Sequence, residues 1–386
     1  LRVLITGFST PHLQRAIAYA LEAGADVTHV GYEPVYTAHG PPTYRFVDLS
    51  EVVPFRREAF ARNPTLYTAA VTRGVKVFQN LARVFRTQVI CAYGLIFLAL
   101  ACARARLRPL IVSAQGYLHA IVYDHAACLN ARHAEILART DVLLVGSAAL
   151  ADLCRPLLPP SVRVEVWCTG LNTRVFCRAT PTQAAQWRRA LRIPQEATVV
   201  LSPRGWEPIY HHEQVATAFA AALPRLPQPA LLFFVKMGRG MLATVQSYFA
   251  EVQRQIEALG IAPQTRFLPA FPGRSMPTLY NVADVVVSYC WPDAFPITAL
   301  EALACERPMI LPRLPTIGDT VLARHCRLVP PGDPGALAEA MVAETGAPPT
   351  PAMRRAAREA VMAEYDALVV KERLLTLFAS LDALLP

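Results

Sequence analysis

Two carboxylates eight positions apart, Asp293 and Glu301, carry the clearest chemistry in this sequence. They belong to the run Trp291-Pro292-Asp293-Ala294-Phe295-Pro296-Ile297-Thr298, which continues through Glu301 to Cys305 in small and aliphatic residues. The Phe295-Pro296 pair predicts a tight turn, and the residues after it predict a helix beginning near Thr298. Such a helix starts with unpartnered backbone N–H groups and the positive end of its dipole, which together attract an anion. Asp293 then precedes the helix and Glu301 lies one turn inside it. One carboxylate is directed toward whatever the anion is attached to, and the other toward sugar hydroxyls. The spacing outlines a sugar-nucleotide site, with phosphate on the helix and ribose on a carboxylate.

Cations are expected beside such an anion. Arg204, in Ser202-Pro203-Arg204-Gly205-Trp206-Glu207, follows a predicted strand, and its planar fork suits bidentate contact with a diphosphate. The bland reading of Arg204 is a surface ion pair. Lys236, in Phe234-Val235-Lys236-Met237-Gly238, ends the next predicted strand and is either a second cation or a solvated strand-end lysine. His119, in Gln115-Gly116-Tyr117-Leu118-His119, follows the predicted strand at Leu110 to Ser113 and is either a polar contact or structural.

The elements that must hold these residues alternate apolar strands with amphipathic helices from the first residues onward, which predicts α/β structure with parallel sheets. Strands are expected at Arg2 to Thr6, Val27 to Val30, Gln88 to Ala92, Leu110 to Ser113 and Val142 to Val145. The same grammar restarts with strands at Thr198 to Ser202, Ala230 to Val235, Thr265 to Leu268, Asp284 to Ser288 and Pro308 to Leu311. Gly7 to His12 is expected as a loop before a helix at Leu13 to Ala23, and Arg354 to Leu381 as helical. Each half thus predicts a doubly wound sheet, with ligand at the carboxyl ends of its strands and the active site in the cleft between the halves. The expected division is an acceptor-side domain at 1–172, a nucleotide-sugar domain at 173–365 and a terminal helix at 366–386.

A length of 386 residues suits two domains, and 53% hydrophobic against 17% charged residues excludes a largely disordered chain. The nine cysteines form no Cys-x-x-Cys pair and no zinc spacing, which predicts buried reduced thiols and no metal. The opening Leu1-Arg2-Val3-Leu4-Ile5-Thr6 reads as a strand rather than a secretory leader, so a cytoplasmic protein is expected. The longest apolar run, Val89 to Ala103, is shorter than the ~20 residues that span a bilayer and predicts a strand followed by a buried helix. A formal charge of +9 asks for an anionic partner. Arg56 to Arg86 concentrates that charge in Arg56, Arg57, Arg62, Arg73, Lys76, Arg83 and Arg86, interleaved with Phe55, Phe60, Tyr67, Phe78 and Phe85. This pattern fits an anionic membrane surface, a nucleic-acid stripe or a solvated helix face.

The 293–305 segment resembles the Glu-x7-Glu motif of retaining glycosyltransferases of the GT-B fold, family GT4. Other parts are similar to that family in order along nearly the whole chain. They are Thr10-Pro11-His12 in the first loop, Asp141 to Ser147, the hinge-like Gly170-Leu171-Asn172 followed by Phe176, and Leu279-Tyr280 with Ala283-Asp284. The resemblance implies two Rossmann-like domains facing a cleft, with a terminal helix crossing back to the first. It also implies transfer of a sugar from a nucleoside diphosphate to a hydroxyl of a glycan, lipid-linked or small-molecule acceptor, without metal or further cofactor. Retention implies front-face attack, the donor phosphate taking the acceptor proton.

By the same resemblance Glu301 binds ribose, and Asp293 contacts the transferred sugar. Arg204, Gly238 and the backbone N–H groups of Phe295, Pro296, Ile297 and Thr298 hold the donor, while Gly7 to His12 closes over phosphates or acceptor. Lys236 and His119 stand as further catalytic candidates. Asp293 replaces the family's first Glu, Glu306 its usual Gly, Gln115 a His, and Tyr210, His211 and His212 occupy the place of its second cation. The nearest enzyme alternative is an epimerase or phosphorylase of the same fold, and the missing second cation, Glu306 and Gln115 keep open a non-catalytic sugar-nucleotide or lipid-binding protein. Lipid-modifying members tip Arg56 to Arg86 toward peripheral contact with the inner membrane face, with no nucleic acid.

Overall fold

The computed structural model describes residues 1–7, 11–33, 43–50, 64–94, 97–113, 131–235, 243–269, 271, 275–318 and 320–381. These residues form two compact units, Leu1–Thr169 with Leu368–Pro386, and Gly170–Ala367.

The first unit is built on seven parallel strands: β1 (Arg2–Thr6), β2 (Asp26–Gly31), β3 (Tyr44–Asp48), β4 (Val89–Tyr93), β5 (Leu110–Ser113), β6 (Val142–Val145) and β7 (Arg163–Val166). Their spatial order is β3-β2-β1-β4-β5-β6-β7, so the winding reverses between β1 and β4. Strands β4, β5 and β6 are buried along their whole length, which is why they are continuous apolar runs rather than alternating ones. The run from Val89 to Ala103 is a strand followed by a buried helix, Phe97–Arg104. No helix among the described residues is long and apolar enough to cross a membrane.

Three differences from expectation have physical reasons in this unit. The first helix is Pro11–Glu22, two residues earlier than expected, because a proline lacks only an N–H that a first-turn residue would not use. Edge strands β3 and β7 have no buried residues and carry charge, so they lack the apolar signature of the central strands. The C-terminal helical stretch is two helices, Pro351–Tyr365 and Ala367–Ser380, broken at Asp366. Asp366 leaves the helix with ψ 145°, and its carboxylate accepts from Thr173 N (3.3 Å) and Thr173 Oγ1 (2.5 Å). Beyond that break the chain joins the first unit, where Trp167 Nε1 donates to Val370 O at 3.2 Å and Lys371 meets Glu22 at 3.1 Å.

The second unit holds six parallel strands: β8 (Thr198–Ser202), β9 (Ala230–Val235), β10 (Thr265–Leu268), β11 (Val285–Val287), β12 (Met309–Pro312) and β13 (Arg327–Val329). Their order, β10-β9-β8-β11-β12-β13, reverses between β8 and β11. The core gathers on Trp206, which is fully buried and meets Phe249 edge-on at 4.5 Å and Phe234 at 5.4 Å. The helix Pro181–Ala190 has no buried residue and so gives no apolar stripe to read. Thr180 and Gln183 start it with a reciprocal capping box. Buried free thiols at Cys91, Cys102, Cys154, Cys168, Cys290 and Cys305 fit the scattered cysteine pattern.

Candidate functional site

In an open parallel sheet the two loops that diverge at the reversal of winding leave a crevice at the carboxyl ends of the strands. In the second unit those loops follow β8 and β11. The first carries Arg204. The second carries Trp291 to Pro296 and runs into the helix Ile297–Ala304. The second loop is fastened by Thr316 Oγ1, which donates to Asp293 O at 2.7 Å, and by Phe295, which stacks on Tyr365 at 5.5 Å. The helix starts at Ile297, one residue before the expected position, and no side chain caps it. Ala299 N already donates to Pro296 O at 3.0 Å, so the N–H groups left for an outside acceptor in the first turn are those of Ile297 and Thr298. Proline has no N–H, so the expected row of backbone donors is Phe295, Ile297 and Thr298, and Pro296 drops out of it.

Arg204 joins the two loops. Its Nη1 donates to Thr298 Oγ1 at 3.2 Å and its Nη2 to Asp293 Oδ2 at 3.2 Å. The two charged side chains are only 15% and 12% exposed, so this is an enclosed pair rather than a surface one. Burial alone would lower the pKa of the guanidinium. Asp293 outweighs it and holds Arg204 above its ordinary range, permanently charged. The Tyr210 ring lies 4.5 Å beneath the guanidinium. A fixed cation thus sits at the positive end of a helix, an arrangement suited to an anion with several oxygens.

Farther along the same helix, Glu301 accepts a hydrogen bond from Tyr280 Oη at 2.8 Å. Tyr280 is fully buried, and burial first and Glu301 second push its pKa well above the ordinary value, so it remains a donor. In the sequence Tyr280 stands out only as part of the helix-end motif Leu279-Tyr280 with Ala283-Asp284. Its signal was the 21-residue gap to Glu301, which nothing in local periodicity connects.

The loop bearing Arg204 is braced by histidines that the sequence reading noted only as occupants of the second cation's place. His212 is buried and its pKa falls to about 4, chiefly through burial, so it is neutral and is no replacement cation. Its Nε2–H donates to Gly205 O at 2.6 Å. His211 takes the left-handed conformation (φ 46°) and stacks on Trp291 at 4.3 Å. Its Nε2 donates to Trp291 O at 2.9 Å while Nδ1 faces Glu213 Oε1 at 3.2 Å. Burial opposes charging of His211, yet Glu213 and the Trp291 carbonyl together raise its pKa. His211 therefore ties the loop after β8 to the segment that presents Asp293.

The remaining expected residues fall elsewhere. Gly7 follows β1 in the first unit, where a Cβ would stand 2.9 Å from Tyr93 Cβ, so close packing alone requires glycine. Lys236, Gly238, His119 and the loop residues Phe8, Ser9 and Thr10 lie outside the described residues. So do Phe55, Arg56, Arg57, Phe60 and Arg62 of the basic stretch. Within the helix Pro64–Val84 Arg73, Lys76 and Arg83 are exposed, whereas Phe78 is fully buried and belongs to the core. Tyr67 packs beneath Arg132 at 4.0 Å. The aromatic interleaving expected for a membrane face is therefore partly core. Glu306 adopts φ 57° in a helix-ending turn, with Glu306 N bonded to Leu303 O (2.9 Å) and Arg307 N to Ala302 O (3.0 Å). A glutamate thus serves where glycine is usual, and Arg178 pairs with it at 3.3 Å.

Two units wound in this order, with an arginine and a helix start at the reversal of the second sheet, define the GT-B class of glycosyltransferase folds. Over 99% of both chains the protein superposes on sucrose-phosphate synthase from Thermosynechococcus elongatus with a TM-score of 0.83 at 17% identity. Anabaena HepE in complex with UDP and glucose aligns over 98% of this chain and 100% of that one (TM-score 0.72, 17% identity). Within the second unit, residues 208–343 match the family model of glycosyl transferases group 1. A D-inositol 3-phosphate glycosyltransferase of Salinispora tropica is 29% identical over 180 residues, covering 46% of this chain and 37% of that protein. The enzyme of the same name from Corynebacterium diphtheriae is 29% identical over 182 residues, 47% and 42% of the two chains. The matched part thus spans less than half the length of these relatives.

Proposed function

We propose that the protein is a retaining glycosyltransferase that moves a sugar from a nucleoside-diphosphate sugar to an acceptor hydroxyl. The observation that carries this reading is Arg204, held at 3.2 Å from both Asp293 and Thr298 at the start of the helix Ile297–Ala304. In this reading the donor diphosphate lies on the N–H groups of Phe295, Ile297 and Thr298 with Arg204 against its oxygens. Glu301, oriented by Tyr280, accepts the ribose hydroxyls. Asp293 lies next to the phosphates and contacts the sugar being transferred.

Leaving-group charge grows as the glycosidic bond breaks, so a preformed cation and helix terminus stabilise the transition state more than the bound donor. The acceptor attacks the same face from which the diphosphate departs, and a phosphate oxygen takes its proton. No side-chain base is then required, and His119 becomes dispensable. The donor chemistry agrees with neighbours of the same fold crystallised with UDP and glucose or with UDP-2-fluoro glucose. We further propose a lipid-linked acceptor, with the exposed Arg73, Lys76, Arg83 and Arg86 resting on an anionic membrane surface.

The test is a thermal-stability screen of the protein against UDP, GDP, ADP and their sugars, followed by product analysis with the stabilising donor. Ligands raise apparent stability by mass action. Stabilisation by one nucleotide family and transfer with retained anomeric configuration are expected. Stabilisation without turnover toward any hydroxyl acceptor would leave a sugar-nucleotide-binding protein.

A further inference from the structure

At the far end of the helix Ile297–Ala304, away from Arg204, the second unit has a half-open cavity of about 390 Å³. Eight helical residues separate the two ends by about 12 Å, so the cavity is a place apart from the Arg204 cluster. Five arginines line it from five different elements: Arg307, Arg313, Arg324, Arg327 and Arg354, with His325 beside them. Only two carboxylates share the lining, Glu306 and Glu344.

Both carboxylates are already engaged. Glu344 pairs with Arg327 at 2.8 Å, and Glu306 with Arg178 at 3.3 Å. Arg324 pairs with Glu364 at 2.9 Å. Among the described residues Arg307, Arg313 and Arg354 form no salt bridge, although the Asp284 carboxylate is near enough to act on Arg307. The Nε atoms of Arg307 and Arg354 are buried without any hydrogen-bond partner. Arg307 reaches only neutral acceptors, Asn281 Oδ1 at 3.2 Å and Ala283 O at 3.4 Å. Burial first depresses its pKa; Cys305 and the Asp284 carboxylate oppose this, and the neighbouring Arg354 and Arg178 charges lower it further. Guanidinium groups gathered on one concave surface repel one another, and a multiply charged anion reduces that repulsion while meeting the orphaned Nε donors of Arg307 and Arg354.

We propose that this cavity is a second anion site, taking a small phosphate-bearing ligand between Arg307, Arg313 and Arg354. Guanidinium forks match phosphate oxygens two at a time, and the volume admits a phosphorylated metabolite rather than a bare monatomic ion. This site stands independently of the proposed transfer reaction, since it shares no residue with the donor cluster.

Calorimetric titration with inorganic pyrophosphate, at constant ionic strength, tests it. The titration uses Arg204→Gln protein, which weakens the donor cluster, alone and combined with Arg313→Gln and Arg354→Gln. Saturable binding in the Arg204→Gln protein, weakened at least tenfold by the two cavity substitutions, is the expected result. If Arg354→Gln prevents folding, Arg313→Gln alone provides the comparison, because its side chain is exposed at the rim. Absence of saturable binding in the Arg204→Gln protein overturns the proposal. So does binding that the cavity substitutions leave unchanged, since that anion lies elsewhere.

Discussion

Arg204 Nη1 lies 3.2 Å from Thr298 Oγ1, so a cation delivered by one strand meets the first turn of a helix delivered by another. Neither residue is near the other in sequence, and the contact exists only because β8 and β11 are neighbours at the reversal of the sheet. The site's electrostatics therefore come from topology as much as from residue type.

Replacement of Arg204 tests the fixed-fork argument. Removing one preorganised donor to developing negative charge costs about 10²–10³ in turnover in other enzymes. Arg204→Ala is expected to fall in that range, with Arg204→Lys recovering part of it because charge returns without the fork. Steady-state kinetics with the identified donor provide the measurement. A Lys236→Ala effect larger than that of Arg204→Ala would transfer the main role to Lys236.

Glu301→Gln keeps shape and loses the charge-assisted bonds, at roughly 1.5–3 kcal/mol per bond to a charged group. Donor affinity should fall accordingly, with the fold intact by circular dichroism. Tyr280→Phe removes only the hydroxyl that orients Glu301 at 2.8 Å and should weaken donor binding less than Glu301→Gln. Equal donor affinity in wild type and Glu301→Gln removes Glu301 from the site.

His211 makes stability depend on pH in a definite direction. Its pKa is raised above 6.5, so the folded state gains most when the imidazole is protonated. That contribution is complete below the unfolded value and is lost as pH rises through the higher folded one. As pH rises from below the ordinary imidazole value through the raised one, wild type should lose more thermal stability than His211→Gln. Parallel melting-temperature profiles for the two proteins contradict the assignment.

Much of this organisation was legible in the sequence because central parallel strands must be apolar on both faces. Val142 to Val145 and Thr198 to Ser202 appear with their observed bounds for that reason. Edge strands β3, β7 and β13 were not legible, since they are short, mixed in polarity and defined by partners far away in sequence. The helix Ile297–Ala304 and the place of Arg204 just after β8 were legible; the Tyr280 hydroxyl and the His211–Trp291 stack were not. Both depend on which loops the sheet order brings together. Glu306 shows the converse, a residue that breaks a local preference and is accommodated by Arg178.

That accommodation yields a stability prediction. A left-handed conformation costs an L-residue roughly 1–2 kcal/mol, and a partly exposed ion pair contributes about 0–1 kcal/mol. Glu306→Gly should therefore stabilise the protein slightly, by up to about 1 kcal/mol in urea unfolding. Clear destabilisation would mean that the Arg178 pair contributes more than its 47% exposed arginine suggests.

Membrane contact through the basic helix should be peripheral and salt-sensitive, with about 1 kcal/mol per exposed Lys or Arg near an anionic leaflet. Replacing Arg73, Lys76, Arg83 and Arg86 by Glu should abolish sedimentation with anionic vesicles and spare nucleotide binding. Wild-type protein that ignores such vesicles at low salt has a solvated helix face, and its acceptor is soluble.

The central claim is that Arg204, the helix start at Ile297 and Thr298, and Glu301 together hold a nucleoside diphosphate. Calorimetric titration of UDP, GDP and ADP into wild type, Arg204→Ala and Glu301→Gln tests it most directly. Saturable binding of one of the three to wild type, weakened at least about tenfold in each variant, is expected in line with charge-assisted bonds. Wild type that binds none of them, or binding of equal strength in all three proteins, would contradict it.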